Sequence, residues 1–221
     1  MHKLNAIDIF SSLSESDMEE ISSLVTTETF GKKETVFSEG APSEWFYAVY
    51  EGKIKITKLS VEGKEIILEL IKPGELFGAV AVLKGFPYPA NAVAMEDSSI
   101  LKISRKNMML ILDMFPSLMF NLIQSLGDRM RDSHETTKNI ALEKVGSRIA
   151  ALLLKLCEQM GTKTQEGLEL NIKLTKQDIA EMVGTTVETS IRTMSRFKKE
   201  GLIKEEAGKV VILDPDGLRA E

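Results

Sequence analysis

Glu188 and Arg192 stand four residues apart in the stretch LTKQDIAEMVGTTVETSIRTMSRFKKEGLI, residues 174–203, so any helix through them carries both on one face. A carboxylate accepts hydrogen bonds and a guanidinium donates them as a planar fork, so such a pair can read the donors and acceptors along a base edge. Thr189, Ser195, Arg196 and Lys199 cover the remaining polar surface, and Ile191 and Met194 read as the buried side. The sequence contains no GxSxG nucleophile elbow, no Walker phosphate loop and no HExxH zinc motif.

The flanking residues are those needed to hold this face out. Thr175 is suited to cap a helix, with Asp178 three residues on to face its positive end, and Ile179, Ala180, Met182 and Val183 supply a buried side. Gly184 can take the positive φ that ends this helix, and Thr186 caps the next one before Val187. Two helices joined by a tight glycine turn, the second one polar, suit insertion into the DNA major groove. From residue 170 to 204 there are seven Lys or Arg against four Asp or Glu, in a chain of net charge -5, so positive charge gathers here. The alternative is a helical hairpin that contacts protein, as part of a ligand-binding or scaffold dimer.

The rest of the composition narrows the class. With 221 residues, 43% apolar and 28% charged, the chain suits one large or two small globular domains. No run approaches the ~18 apolar residues of a membrane span, and the start, MHKLNAIDIF, lacks a signal-peptide core, so the expected location is the cytoplasm. Cys157 is the single cysteine, which excludes an internal disulfide or a four-cysteine zinc or iron–sulfur site within one chain; in its leucine-rich run it reads as a small buried apolar residue. Residues 139–221 hold 13 basic and 13 acidic groups against 15 and 20 before them, so the negative excess belongs to the N-terminal part.

Ser14 to Val25 reads as a capped helix with Met18, Ile21, Leu24 and Val25 on one face. From Thr29 to Ile103 short alternating β-branched and aromatic runs are punctuated by glycines 40, 52, 63, 74 and 85, every 11 or 12 residues, the spacing of an antiparallel sandwich or jelly roll. A jelly roll can be a metalloenzyme, but the two histidines, His2 and His134, both fall outside it, so no metal site and no enzyme are expected. Glu65, Glu69 and Glu75 read as solvent-facing strand positions. A helix over 116–138 follows, in which Met119, Leu122, Leu126, Met130, Ser133 and Thr137 alternate by three and four as the seam of a parallel homodimer. After a break near Asn139, a helix over 142–160, a loop over 161–167 and strands over 168–174 and 208–214 complete a winged helix-turn-helix. The predicted class is α+β, with an effector-sensing β jelly roll over 1–115, the long dimerisation helix, and a DNA-binding domain over 139–221.

At VGTTVETSIR the sequence resembles the CRP/FNR family of bacterial transcription regulators, and the resemblance extends over nearly the whole chain. It implies that Val187, Glu188 and Arg192 read bases of double-stranded DNA in a half-site containing TGA, with Thr175, Lys176, Thr186, Thr189 and Arg196 on phosphates. Val187 is similar to the oxygen-sensing branch, but Ile191 departs from that branch's Ser, which leaves the outer bases open. Members that bind cyclic nucleotides carry a Gly-Glu pair, then Arg and Ala about ten residues on. Here the segment is FGAVAVLKGFPYPANA, with Ala79 for the Glu and Tyr88 or Pro89 for the Arg, and no arginine precedes Arg105. A cyclic phosphate would lack its partner there. The resemblance thus implies a small effector other than cyclic AMP, in a pocket of Gly78, Ala79, Tyr88, Pro89 and Ala90 that meets Ser133 and His134 of the long helix. His134 is a proton-sensitive contact or haem-ligand candidate, or a plain helix-surface histidine, and RNA polymerase is the implied partner of an activator.

Overall fold

Alternating strands build the first half of the computed structural model, which describes residues 3–206 and 208–221; His2 lies outside them. The chain divides into two compact units, Met1–Met130 and Arg131–Glu221. The first begins with single-turn helices Lys3–Ala6 and Asp8–Phe10, then α1 (Glu15–Ser22), where Ser14 and Asp17 cap each other reciprocally. Eight strands follow: β1 (Thr26–Phe30), β2 (Thr35–Phe37), β3 (Trp45–Glu51), β4 (Ile54–Leu59), β5 (Glu65–Ile71), β6 (Leu76–Phe77), β7 (Asn91–Ala94) and β8 (Ser98–Ser104). They pair antiparallel in two four-stranded sheets, β1-β8-β3-β6 and β2-β7-β4-β5, the arrangement of a jelly roll. Phe46, Ile54, Ile71, Phe77, Ile100 and Ile103 fill the core they enclose. Gly52 makes the β3–β4 turn at φ 87, and a Cβ there would lie 2.2 Å from the Ser98 hydroxyl, so no other residue fits.

One helix in this unit runs against the sequence reading, and another falls where that reading assigned nothing. Ala79–Lys84 is α2, although AVAVLK has the look of a strand: Gly78 in the left-handed region turns the chain into it and Gly85 turns it out. Arg105–Met114 is α3, capped by Ser104, whose hydroxyl accepts from the Asn107 amide at 3.1 Å. The long helix α4 is Ser117–Leu142, and it does not stop at Asn139, whose carbonyl accepts the Glu143 amide in regular helical fashion. Nothing at Asn139 interrupts the ladder; the break comes at Glu143 and Lys144.

The face that α4 turns to the roll carries Leu118 and Leu122, the latter 4% exposed, with Leu126 packed beside them. Leu122 therefore belongs to this chain's own core. The residues left outside include four of the expected seam, Met119, Met130, Ser133 and Thr137, together with Phe120 (64% exposed), Ile123 (59%) and His134. Glu75 is also not a solvent-facing strand position. It sits in the turn before β6, mostly buried, and burial pushes its carboxyl above the usual range while it accepts the Lys72 amide at 3.0 Å.

In the second unit α5 (Val145–Met160) presents Ile149, Leu153 and Leu156 to the interior. Next come β9 (Gly161–Lys163), β10 (Leu168–Leu170), α6 (Lys176–Val183), α7 (Val187–Lys199), β11 (Ile203–Glu206), β12 (Lys209–Ile212) and α8 (Pro215–Arg219). The sheet runs β11-β12-β10-β9, so the wing is the β11–β12 hairpin and β10 lies on its far side. The expected pairing of 168–174 with 208–214 is thus one ladder, β10 with β12, of a four-stranded sheet; β9 falls in the expected loop over 161–167, and IKEE at β11 has too little alternation to announce itself. Cys157 is buried in this unit, its thiol donating to the Leu168 carbonyl at 3.6 Å, and burial pushes its pKa up to about 11.

Candidate nucleic-acid interface

Reciprocal capping fixes where α6 begins. The Thr175 hydroxyl accepts the Asp178 amide at 3.0 Å, and the Asp178 carboxylate accepts the Thr175 amide at 2.8 Å. The helix ends at Gly184, φ 66, where any side chain would be strained although the space around it is open. Thr186 then caps α7, accepting the Thr189 amide at 3.2 Å. Arg148 of α5 ties this turn down: one guanidinium nitrogen donates to the Gly184 carbonyl at 3.3 Å and the other to Ile140, near the end of α4, at 3.1 Å. Sequence reasoning passed over Arg148, because its two acceptors lie eight and 36 residues away.

What α7 buries decides what it shows. Where α7 packs on α6 and α5, Met194, Phe197 and Ser190 are buried, and the Ser190 hydroxyl has no hydrogen-bond partner among the described residues. Ile191, expected inside with Met194, is 46% exposed. The inward direction is set by Met194 and Phe197 three residues apart, and Ser190 lies closer to it than Ile191 does. The outer face therefore carries Glu188, Ile191, Arg192, Ser195 and Lys199, with Val187 half-buried at its edge. The Glu188 carboxyl is held below the usual range first by its own backbone amide at the helix start and then by the Thr186 hydroxyl, so it is a pure acceptor at neutral pH. Arg192 rests on the Thr189 hydroxyl at 3.3 Å and otherwise extends outward.

Two basic residues expected on phosphates are engaged within the chain. The Lys176 ammonium is paired with Glu205 of the wing. Arg196 makes a two-pronged contact with Glu221, 2.5 Å for each nitrogen, and a third with Glu200 at 3.1 Å. Such pairs have no local sequence signature, since Glu221 is 25 residues from Arg196.

In the roll, Tyr88 is stacked on Phe37 with centroids 3.8 Å apart, and Tyr47 on Phe77 at 5.3 Å, so four rings share the interior. The Tyr88 hydroxyl donates to the Trp45 carbonyl at 2.6 Å and accepts the Trp45 amide at 3.2 Å. Ala79 and Ala90 are buried and Pro89 is exposed. Gly78 passes so close to Tyr88 that an added Cβ would lie 3.2 Å from the ring. From α4, Arg129 donates to the Leu76 carbonyl at 2.5 Å and pairs with Glu69 at 3.2 Å. Glu69 is thus an ion-pair partner, as is Glu65 with Lys55 at 2.5 Å.

Residues 27–114 match the family model of the cyclic nucleotide-binding domain, and residues 147–221 match that of the Crp-like helix-turn-helix domain. The chain belongs to the CRP/FNR family of transcription regulators. It is 27% identical over 189 residues to the CRP-like cAMP-activated global transcriptional regulator of Mycobacterium tuberculosis, covering 86% of this chain and 84% of that one. It is 27% identical over 214 residues to the Anaerobic regulatory protein of Bacillus subtilis, covering 96% and 90%. FixK2 from Bradyrhizobium japonicum has the same fold, with a TM-score of 0.79 at 21% identity over 89% of this chain and 96% of that one.

This CRP/FNR regulator is a DNA-binding protein of a family whose members act as dimers and are regulators rather than enzymes. Among its described residues no single helix is long and apolar enough to cross a membrane. Ala79 brings a buried methyl group to this end of the roll, and Tyr88 is engaged by the aromatic stack and the Trp45 backbone. Arg129 of α4 meets Leu76 and Glu69 of the roll, contacts that sequence spacing could not connect.

Proposed function

We propose that two copies pair through the exposed face of α4 and place their α7 helices in successive major grooves, ~34 Å apart, as a sequence-specific regulator. The outer face of α7 supports this most directly, with an ionised acceptor and an outward guanidinium one turn apart. Arg192 donates twice to guanine N7 and O6, Glu188 accepts from a cytosine N4 amine, and Val187 packs at the edge of the same site. Thr175, Thr186 and Thr189, at the two helix starts, serve phosphates and fix register. Lys176 and Arg196 join them only by exchanging their carboxylate partners for phosphate. The pairing face is that of Met119, Phe120, Ile123, Met130, His134 and Thr137, whose continuous exposure supports the assignment.

A small effector other than cyclic AMP gates the dimer through α4, and such a protein works in the cytoplasm, with RNA polymerase as partner where it activates. The misfit of the nucleotide cassette supports the choice of effector class. Selection of duplexes from a random pool, with and without small-molecule cell extract, tests the reading. A two-fold symmetric site with TGA in its arms is the expected result, and dependence on extract would establish gating. No enrichment under either condition would overturn the DNA reading in favour of a protein partner.

A further inference from the structure

The outer face of α7 carries one large apolar side chain. Ile191 leaves 46% of its surface to solvent while Ser190, its neighbour, is completely buried. With about 100° of turn per residue, the exposed face centres on Glu188, Arg192, Ser195 and Lys199, and Ile191 lies about 60° to one side of Glu188. Val187 precedes it by one turn on the same flank. Arg196, on the opposite flank, is held by Glu221 and Glu200. The two sides of the helix therefore differ: one is an open apolar ridge and the other a charge already paired.

A major groove offers such a ridge one apolar group, the 5-methyl of thymine. A β-branched side chain in a helix is held near one χ1 rotamer, so Ile191 presents its methyl groups at a set place beside the polar readers. We propose that Ile191 packs on the 5-methyl of a thymine next to the bases read by Glu188 and Arg192, and so selects an outer base of each half-site. This rests on the reading of α7 as the base reader.

Deoxyuridine in place of single thymines removes that methyl and nothing else, and 7-deazaguanine in place of the central guanine removes the N7 that Arg192 would use. Equilibrium titrations of wild type and Ile191→Ala on such duplexes are expected to find one uracil position that weakens the wild type about three- to fivefold, the worth of one buried methyl. The variant should be indifferent to uracil there, while both proteins keep the 7-deazaguanine penalty. Uracil tolerated everywhere, or penalised equally in the variant, overturns the proposal and leaves guanine reading intact. Absence of the 7-deazaguanine penalty in the wild type overturns the base-reading assignment and the proposal with it. Ile191→Val, which keeps the β-branch and loses only the δ methyl, should fall between the two.

Discussion

Replacing Arg192 by alanine separates folding from recognition. The side chain is exposed and makes one long hydrogen bond, 3.3 Å to Thr189, so its loss removes little from the fold. Alanine is also the better helix former, and stability should change by no more than ~0.5 kcal/mol. The cost then appears in DNA binding. A bidentate contact to guanine is worth ~1 to 3 kcal/mol of discrimination, or about 5- to 160-fold in Kd. Fluorescence anisotropy on the selected duplex, and on variants with each base at the central position, gives both affinity and discrimination. The expected result is weaker binding to the best site with the four bases now nearly equal, and an unchanged salt slope. Uniform loss on all sequences, with the slope falling by ~1, would mean that Arg192 contacts phosphate and that the base assignment is wrong.

Leu122→Ala should cost ~2 to 5 kcal/mol in urea denaturation, because Leu122 lies in the roll core; Ile123→Ala, one residue on and 59% exposed, should barely alter the fold and instead weaken dimerisation in sedimentation. Equal effects on both readouts would erase the distinction between the two faces of α4. Ser190→Ala should raise stability by ~1 kcal/mol, since the hydroxyl is buried without a partner among the described residues; a loss in thermal melting would reveal a hydrogen bond to water. The Glu75 carboxyl titrates above its ordinary 4.5, mainly through burial, so its contribution is fully present below that pH and lost as pH rises through the raised value. Glu75→Gln should flatten this part of the stability profile from about pH 4.5 upward, and an unchanged slope would assign it to another group.

The parts of the molecule written in local terms were legible without coordinates. Thr175, Asp178, Gly184 and Thr186 are caps and a turn whose partners lie within a few residues, so the boundaries of α6 and α7 follow from type and spacing. The glycine spacing likewise marked the roll, and the placement of Glu188 and Arg192 on one face needs nothing beyond helical periodicity. Less legible were α2 and α3: AVAVLK carries no helical signature against its neighbours, and it takes Gly78 and Gly85 in the left-handed region to frame the turn.

Which side of a helix faces inward is another matter. Periodicity allows Ile191 or Ser190 to join Met194, and hydrophobicity favours the isoleucine; the chain buries the serine because Met194 and Phe197 fix the rotation of α7 against α5. On α4 the apolar stripe is broader than the roll can cover, and only the position of the roll decides that Leu118 and Leu122 are buried while Phe120 and Ile123 stay exposed. The same holds for Arg148 with Gly184, Arg129 with Leu76 and Arg196 with Glu221. The sequence by itself determined the elements, their caps and the chemistry available on α7, because those depend on neighbours within a few residues. The tertiary structure alone decided which face each helix buries and which charges are already spent, because those depend on residues that meet only after the chain has folded.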